Sequence, residues 1–202
     1  MSHVGVLALQ GDYARHIAML QSIGVDAREF RESEDISELV ALVIPGGEST
    51  TIGMLMERRG LDTAIPAAIR AGLPVFGTCA GAILLARTIK GSQQYRIGEL
   101  DITVERNAYG SQVDSFEAMI DIADTSCGFK ATMEAVFIRA PVFSEPGPQV
   151  QVLASFNHRP ILVRQGKLLA ASFHPELSGN PAVHRYFMET MVDFMGTMVG
   201  TG

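Results

Sequence analysis

Three side chains of this sequence could act together on a carbonyl: the thiol of Cys79, the imidazole of His174 and the carboxylate of Glu176. Cys79 stands in Pro74-Val75-Phe76-Gly77-Thr78-Cys79-Ala80-Gly81, an apolar run that ends in Gly-x-Cys-x-Gly. Such a run reads as a buried strand turning sharply into a helix, with sulfur where a nucleophile elbow carries serine oxygen. Gly77 and Gly81 suit that reading, because so tight a turn leaves little room for side chains on either flank. Backbone N–H groups at the start of the helix can lower a thiol pKa and hold a developing oxyanion. A lone cysteine is more often an apolar filler. The two glycines after a strand-like run are what argue for chemistry here.

His174 and Glu176 close a second apolar run, Leu168 to Phe173, again at a strand end. Pro175 stiffens the turn between them, and in an extended segment residues two apart share a face. A carboxylate placed that way can hold an imidazole. Nucleophile, base and orienting carboxylate form the set used in acyl transfer. The sulfur of Cys79 is therefore expected within a few ångströms of one nitrogen of His174, the other nitrogen facing Glu176. A third strand end, Pro45-Gly46-Gly47-Glu48-Ser49-Thr50-Thr51, lacks the lysine of a phosphate loop, so a nucleotide site is weakly supported. It reads either as an ordinary strand-to-helix turn or as backbone N–H groups aimed at a substrate carbonyl. In the second case the N–H of Gly47 and that of Ala80 make an oxyanion hole.

These residues need a scaffold that brings strand ends together. Val4–Leu9, Val40–Ile44 and the run before Cys79 alternate with helical patterns over 12–22, 52–58 and 61–70, which predicts a doubly wound parallel sheet. Ligands gather beyond the carboxyl ends of such strands. After about residue 87 the pattern becomes β-rich, at 100–104, 136–138, 150–156, 161–164 and 168–173, and antiparallel strands added to the parallel core are expected. Pro160 argues for an edge strand there. Residues 181–198 read as a final amphipathic helix whose Met188, Met191, Met195 and Met198 pack in the core. One domain over 1–202 is the economical reading. With 202 residues, 16 basic against 22 acidic side chains and no basic block, a nucleic-acid surface is not expected. Only Cys79 and Cys127 occur, which suggests a reducing cytosol, and Cys127 reads as structural. No apolar stretch approaches a membrane span, and the N-terminus reads as a strand rather than a signal peptide.

Residues 42–51, Phe76–Gly81 and Ser172-Phe173-His174-Pro175-Glu176-Leu177 together resemble the triad-type (class I) glutamine amidotransferases. Leu9-Gln10-Gly11-Asp12, residues 104–110 with 112–117, and Phe137-Ile138-Arg139-Ala140-Pro141 narrow the resemblance to the glutaminase subunits of pyridoxal 5′-phosphate synthase. It runs essentially the full length, with Tyr109 where a Phe is common. The resemblance implies a three-layer α/β/α sandwich, flavodoxin-like, with a mixed and mostly parallel sheet. It implies hydrolysis of L-glutamine to glutamate and ammonia by Cys79, His174 and Glu176, with no cofactor and no metal. Glutamine contacts are implied at Gly47, Glu48, Ser49, Arg106, Ile138 and Arg139. An arginine suits a carboxylate, although either arginine could instead form a structural ion pair. Ammonia would pass to a separate synthase subunit in the cytoplasm, with Gln10 near that interface. The alternatives are an amidotransferase subunit for purine or histidine synthesis, and a non-catalytic partner module that has kept the fold.

Overall fold

The computed structural model describes residues 2–106 and 115–192. Its first half alternates strand and helix: β1 (His3–Leu7), α1 (Tyr13–Ser22), β2 (Ala27–Phe30), a 3-10 turn (Ser33–Glu38), β3 (Leu39–Ile44), α2 (Ser49–Arg58), α3 (Leu61–Arg70), β4 (Val75–Thr78) and α4 (Ala80–Leu85). The second half adds β5 (Ala86–Ile89), β6 (Leu100–Glu105), β7 (Ser115–Asp124), β8 (Phe129–Ile138), β9 (Val142–Ser144), β10 (Gln151–Phe156), β11 (Arg159–Gln165), β12 (Leu168–Ala171) and α5 (Ala182–Thr190).

The main sheet has seven strands in the order β10-β11-β12-β4-β3-β1-β2. From β12 to β2 every pairing is parallel, and β11 and β10 extend the sheet antiparallel. This is the expected α/β architecture, flavodoxin-like and mostly parallel. The continuous apolar runs of β1, β4 and β12 are buried at every residue, as strands covered on both faces must be. Side chains alternate between two cores. Val43, Phe76, Leu169 and Ala171 face one, together with Leu20 of α1 and Val183, Tyr186 and Phe187 of α5. Leu42, Ile44, Val75 and Ala170 face the other, with Ile52 and Met56 of α2, Ile65 of α3 and Leu84 of α4. Helices thus sandwich the sheet.

Several expectations shift in detail. The antiparallel hairpin of β7 and β8 is far longer than the 136–138 segment expected there. Asp12 precedes α1 but makes no capping bond, whereas Glu48 caps α2 by accepting from the N–H groups of Thr50 and Thr51. Pro160 is not on an edge strand, since β11 lies between β10 and β12. The register of β12 spans only Leu162–Gln165 of β11, so Pro160 lies past its end and its missing N–H breaks no ladder. Helix α5 ends at Thr190; Met188 and Met191 are buried as expected, while Met195 and Met198 lie outside the described residues. So do 107–110 and 112–114 of the segments that narrowed the resemblance. Cys127 is exposed at the β7–β8 turn rather than packed in the core.

Candidate active site

The carboxyl ends of β3, β4 and β12 lie side by side, so Gly46, Cys79 and His174 converge although the sequence separates them widely. Cys79 occupies the turn between β4 and α4 with φ 47° and ψ −101°. A non-glycine residue in that region is strained, as nucleophiles at such elbows are. The strain is held by a bond from the Cys79 N–H to the carbonyl of Ala171, 2.9 Å long, and by close packing of the flanking glycines. A Cβ on Gly81 would overlap the carbonyl oxygen of Ile44, and one on Gly77 would stand 2.7 Å from the carbonyl carbon of Gly81. Neither backbone neighbour can give way.

The imidazole of His174 faces the Cys79 side chain on one side and is hydrogen-bonded to Glu176 on the other. Nδ1 lies 2.7 Å from Glu176 Oε1, leaving Nε2 for the thiol. All three side chains are buried, with Cys79 7%, His174 6% and Glu176 5% exposed. Burial alone would pull the imidazolium down, but the bonds to Cys79 and Glu176 and their charges outweigh it and raise the His174 pKa to about 10. For Glu176, burial favours the neutral acid, yet His16 and His174 hold the carboxyl well below the usual carboxylate range. The Sγ of Cys79 is also 3.8 Å from the carbonyl of Ile138, which brings the end of β8 to the thiol.

The Gly46-Gly47 loop lies against this line. A Cβ on Gly46 would overlap His174 Cε1 and stand 3.0 Å from Nδ1. Gly46→Ala should therefore push the ring off line and lower any turnover that uses this line by about 10²-fold, while the melting temperature stays near wild type; an activity assay and a thermal melt check this. The β1–α1 loop supports the Gly loop from behind. Gln10 Oε1 accepts from the N–H of Glu48 at 2.8 Å, and a Cβ on Gly11 would overlap the carbonyl oxygen of Gly46. Ala80, the first residue of α4, is buried directly after the nucleophile.

Arg106 forms the other wall. Its guanidinium donates to Glu48 Oε1 at 3.1 Å, to Gln94 Oε1 at 2.7 Å and to Thr50 Oγ1 at 3.3 Å. The ion pair left open by the sequence is present. Ser49, 2% exposed, donates to the same Gln94 oxygen at 3.3 Å. Gln94 gives no sequence signal, standing in a polar stretch without periodicity, and its buried Nε2 has no partner among the described residues. Arg139 follows Ile138 with φ 44°, a second strained residue beside the thiol. Among the described residues there is no cluster of metal-ligating side chains and no helix long and apolar enough to cross a membrane, which says nothing of a β-barrel.

The model of the SNO glutamine amidotransferase family matches residues 6–193. The chain belongs to that family. Among its relatives, a protein of Thermus thermophilus named pyridoxal 5′-phosphate synthase subunit PdxT is 52% identical over 188 residues, covering 92% of this chain and 96% of the relative. The like-named protein of Brevibacillus brevis is 46% identical over 191 residues, covering 95% and 98%. A crystal structure of a glutamine amidotransferase superposes with a TM-score of 0.87 at 49% identity, over 93% of this chain and 98% of that one. The PurLQS structure from Thermotoga maritima shares the fold alone, with a TM-score of 0.67 at 14% identity and coverage of 94% and 99%. The SNO-family match thus spans β4, the Gly46-Gly47 loop, Arg106 and the end of β12.

Proposed function

We propose that this chain hydrolyses L-glutamine to L-glutamate and ammonia through Cys79, His174 and Glu176, by way of a thioester. The observation that carries the reading is the buried line of thiol, imidazole and carboxylate at adjoining strand ends. Cys79 Sγ attacks the side-chain amide carbon. The oxyanion so formed is held by the N–H groups of Gly47 and Ala80, donors worth about 10²–10³ in rate each. The His174 imidazolium gives its proton to the departing nitrogen, ammonia leaves, and a thioester remains on Cys79. His174, now neutral, takes a proton from water, whose oxygen displaces sulfur and releases glutamate. Glu176 keeps the imidazole oriented and stabilises its charged form throughout.

The α-carboxylate and α-amine of glutamine are bound by Gly47, Glu48, Ser49, Arg106, Ile138 and Arg139. Glu48 and Gln94 hold the Arg106 guanidinium in one orientation, so it can meet a carboxylate as a fork. Arg106→Ala should raise KM for glutamine about 10- to 100-fold, the worth of a charged hydrogen-bonded pair, and Arg106→Lys should not restore it. Steady-state kinetics at saturating and limiting glutamine separate KM from kcat.

The ammonia passes to a synthase subunit for pyridoxal 5′-phosphate assembly, in the cytoplasm, with 1–202 acting as one domain. The names borne by relatives aligned along nearly the whole chain support the pathway. Contact of Gln10 with the Gly46-Gly47 loop supports an interface that reaches the oxyanion donors. Glutamate release measured with and without the synthase subunit tests the assignment. Release that rises on adding the subunit supports it; none under either condition favours a non-catalytic module.

A further inference from the structure

Behind Glu176, on the side away from His174, stand two histidines that the reaction above leaves unused. His16 of α1 and His184 of α5 are both 0% exposed. His16 Nε2 is hydrogen-bonded to Oγ1 of Thr78, the residue before Cys79, at 3.1 Å, and lies at ion-pair distance, 3.3 Å, from Glu176 Oε2, which has no hydrogen bond of its own among the described residues. Its Nδ1 lies 2.9 Å from His184 Nε2. Among the described residues, His184 Nδ1 has no hydrogen-bond partner. Phe76 packs edge-on against both rings and fixes their planes.

The positions of the protons follow from these contacts. One proton lies between the two rings. Were it carried by His16, Nε2 of a neutral His16 would turn a lone pair toward the Glu176 carboxylate. A neutral His184 would then bury an N–H at Nδ1 with no acceptor, the costlier kind of orphan. Carried by His184 Nε2, the same proton makes His16 Nδ1 an acceptor and puts the other hydrogen on His16 Nε2, facing Glu176 and Thr78. His184 is then left only with an unused lone pair. Burial lowers the His184 pKa to about 3, so it remains neutral and keeps this role.

We propose that His16 is a positioning residue of the glutaminase reaction. Its Nε2–H stands at ion-pair distance from the second oxygen of Glu176, and His184 fixes its tautomer from behind. The inference rests on the triad reading above. The carboxylate then has a histidine nitrogen beside each oxygen, His174 at 2.7 Å from Oε1 and His16 at 3.3 Å from Oε2, which favours its place in line with the catalytic ring. The same contact keeps Glu176 ionised, and Glu176 in turn keeps His174 basic. The titratable groups facing this line are Cys79, His174, Glu176, His16 and His184.

The test uses the complex with its synthase subunit and measures glutamate release across pH. His16→Leu removes the donor. It should lower kcat about 10-fold or more, as loss of orienting partners does at other histidine sites, with KM for glutamine within about twofold. The alkaline limb of kcat/KM should move to lower pH, because a less firmly held Glu176 supports the imidazolium less. His16→Gln, whose amide nitrogen can reach the position of Nε2, should recover most of kcat and return the limb. Wild-type kcat and pH profile in His16→Leu would overturn the proposal, as would equal impairment of both variants with an unmoved limb. Should the Leu variant not fold, nitrogen NMR of His16 in the unaltered protein decides instead, and a proton on Nδ1 rather than Nε2 sinks the role. Cys79→Ala is run alongside. If it turns over normally the triad reading fails, whereas an inactive Cys79→Ala with an unimpaired His16→Leu removes only the role of His16.

Discussion

Cys79→Ala is expected to abolish glutamate release, by about 10⁴-fold or to background, while the complex with the synthase subunit still assembles. Removing the nucleophile of a triad leaves only the rate enhancement of the binding and oxyanion groups. The fold should survive, because the tight contacts of this turn are made by Gly77, Gly81 and the Cys79 N–H, all of which the variant keeps. Relief of the left-handed turn is not expected, since alanine is as strained there as cysteine. Co-elution with the partner together with a glutamate assay checks both halves. Near wild-type turnover would mean that another nucleophile is used. The exposed Cys127, at the far turn of the β7–β8 hairpin, has no base and carboxylate set around it among the described residues.

The second large effect is on stability. Asp124, 2% exposed at the end of β7, receives the hydroxyl of Tyr186 at 2.6 Å, a guanidinium N–H of Arg164 at 2.9 Å and the N–H of Ser126 at 2.9 Å. These bonds tie the hairpin to α5 and to β11. Burial favours the neutral acid, but Ser126, Tyr186 and Arg164 overcome it and hold the carboxyl far below its ordinary value. Asp124→Ala strands a partly buried guanidinium and a buried phenol. It should cost about 3 kcal/mol or more, a fall in Tm on the order of 10 °C for a chain of this size. The sign with pH follows from the depressed pKa. The contribution of Asp124 is complete above the unfolded value near 4 and is lost as pH falls below it toward the folded value. Asp124→Asn should accordingly flatten the acid side of the stability profile. Thermal melts between about pH 3 and 7 read the effect, and a parallel acid slope in wild type and Asn variant would refute it.

Much of this is legible in the order of the residues because its signals are local. The run before Cys79 with its two glycines reports a strand, a turn and a helix within eight positions. The pairing of His174 with Glu176 is a consequence of extended backbone two residues long. What stays hidden depends on which residues meet across the fold. His16 lies on α1 at the same helical face as Leu20, where a histidine reads like any polar residue until α5 is known to close over it. Gln94 acquires meaning only through Arg106 and Ser49. The β7 strand has no continuous apolar run; it sets Phe116, Ala118, Ile120 and Ile122 on its inner face between exposed positions, a period-two signal that a search for apolar runs passes over. Pro160 misleads for a related reason. Its strand is internal, but the neighbour that would need its N–H is too short to reach it.

The pairing of β12 with β4 has a consequence for synthesis of the chain. The base and its carboxylate are encoded almost a hundred codons after the sulfur, and the two strands cannot zip together until the later one has left the ribosome. A nascent or prematurely stopped polypeptide thus carries a thiol with nothing to activate it. On the proposed chemistry, competence to liberate ammonia waits until β12 has emerged and paired with β4, and long-range pairing of that kind is intrinsically slow.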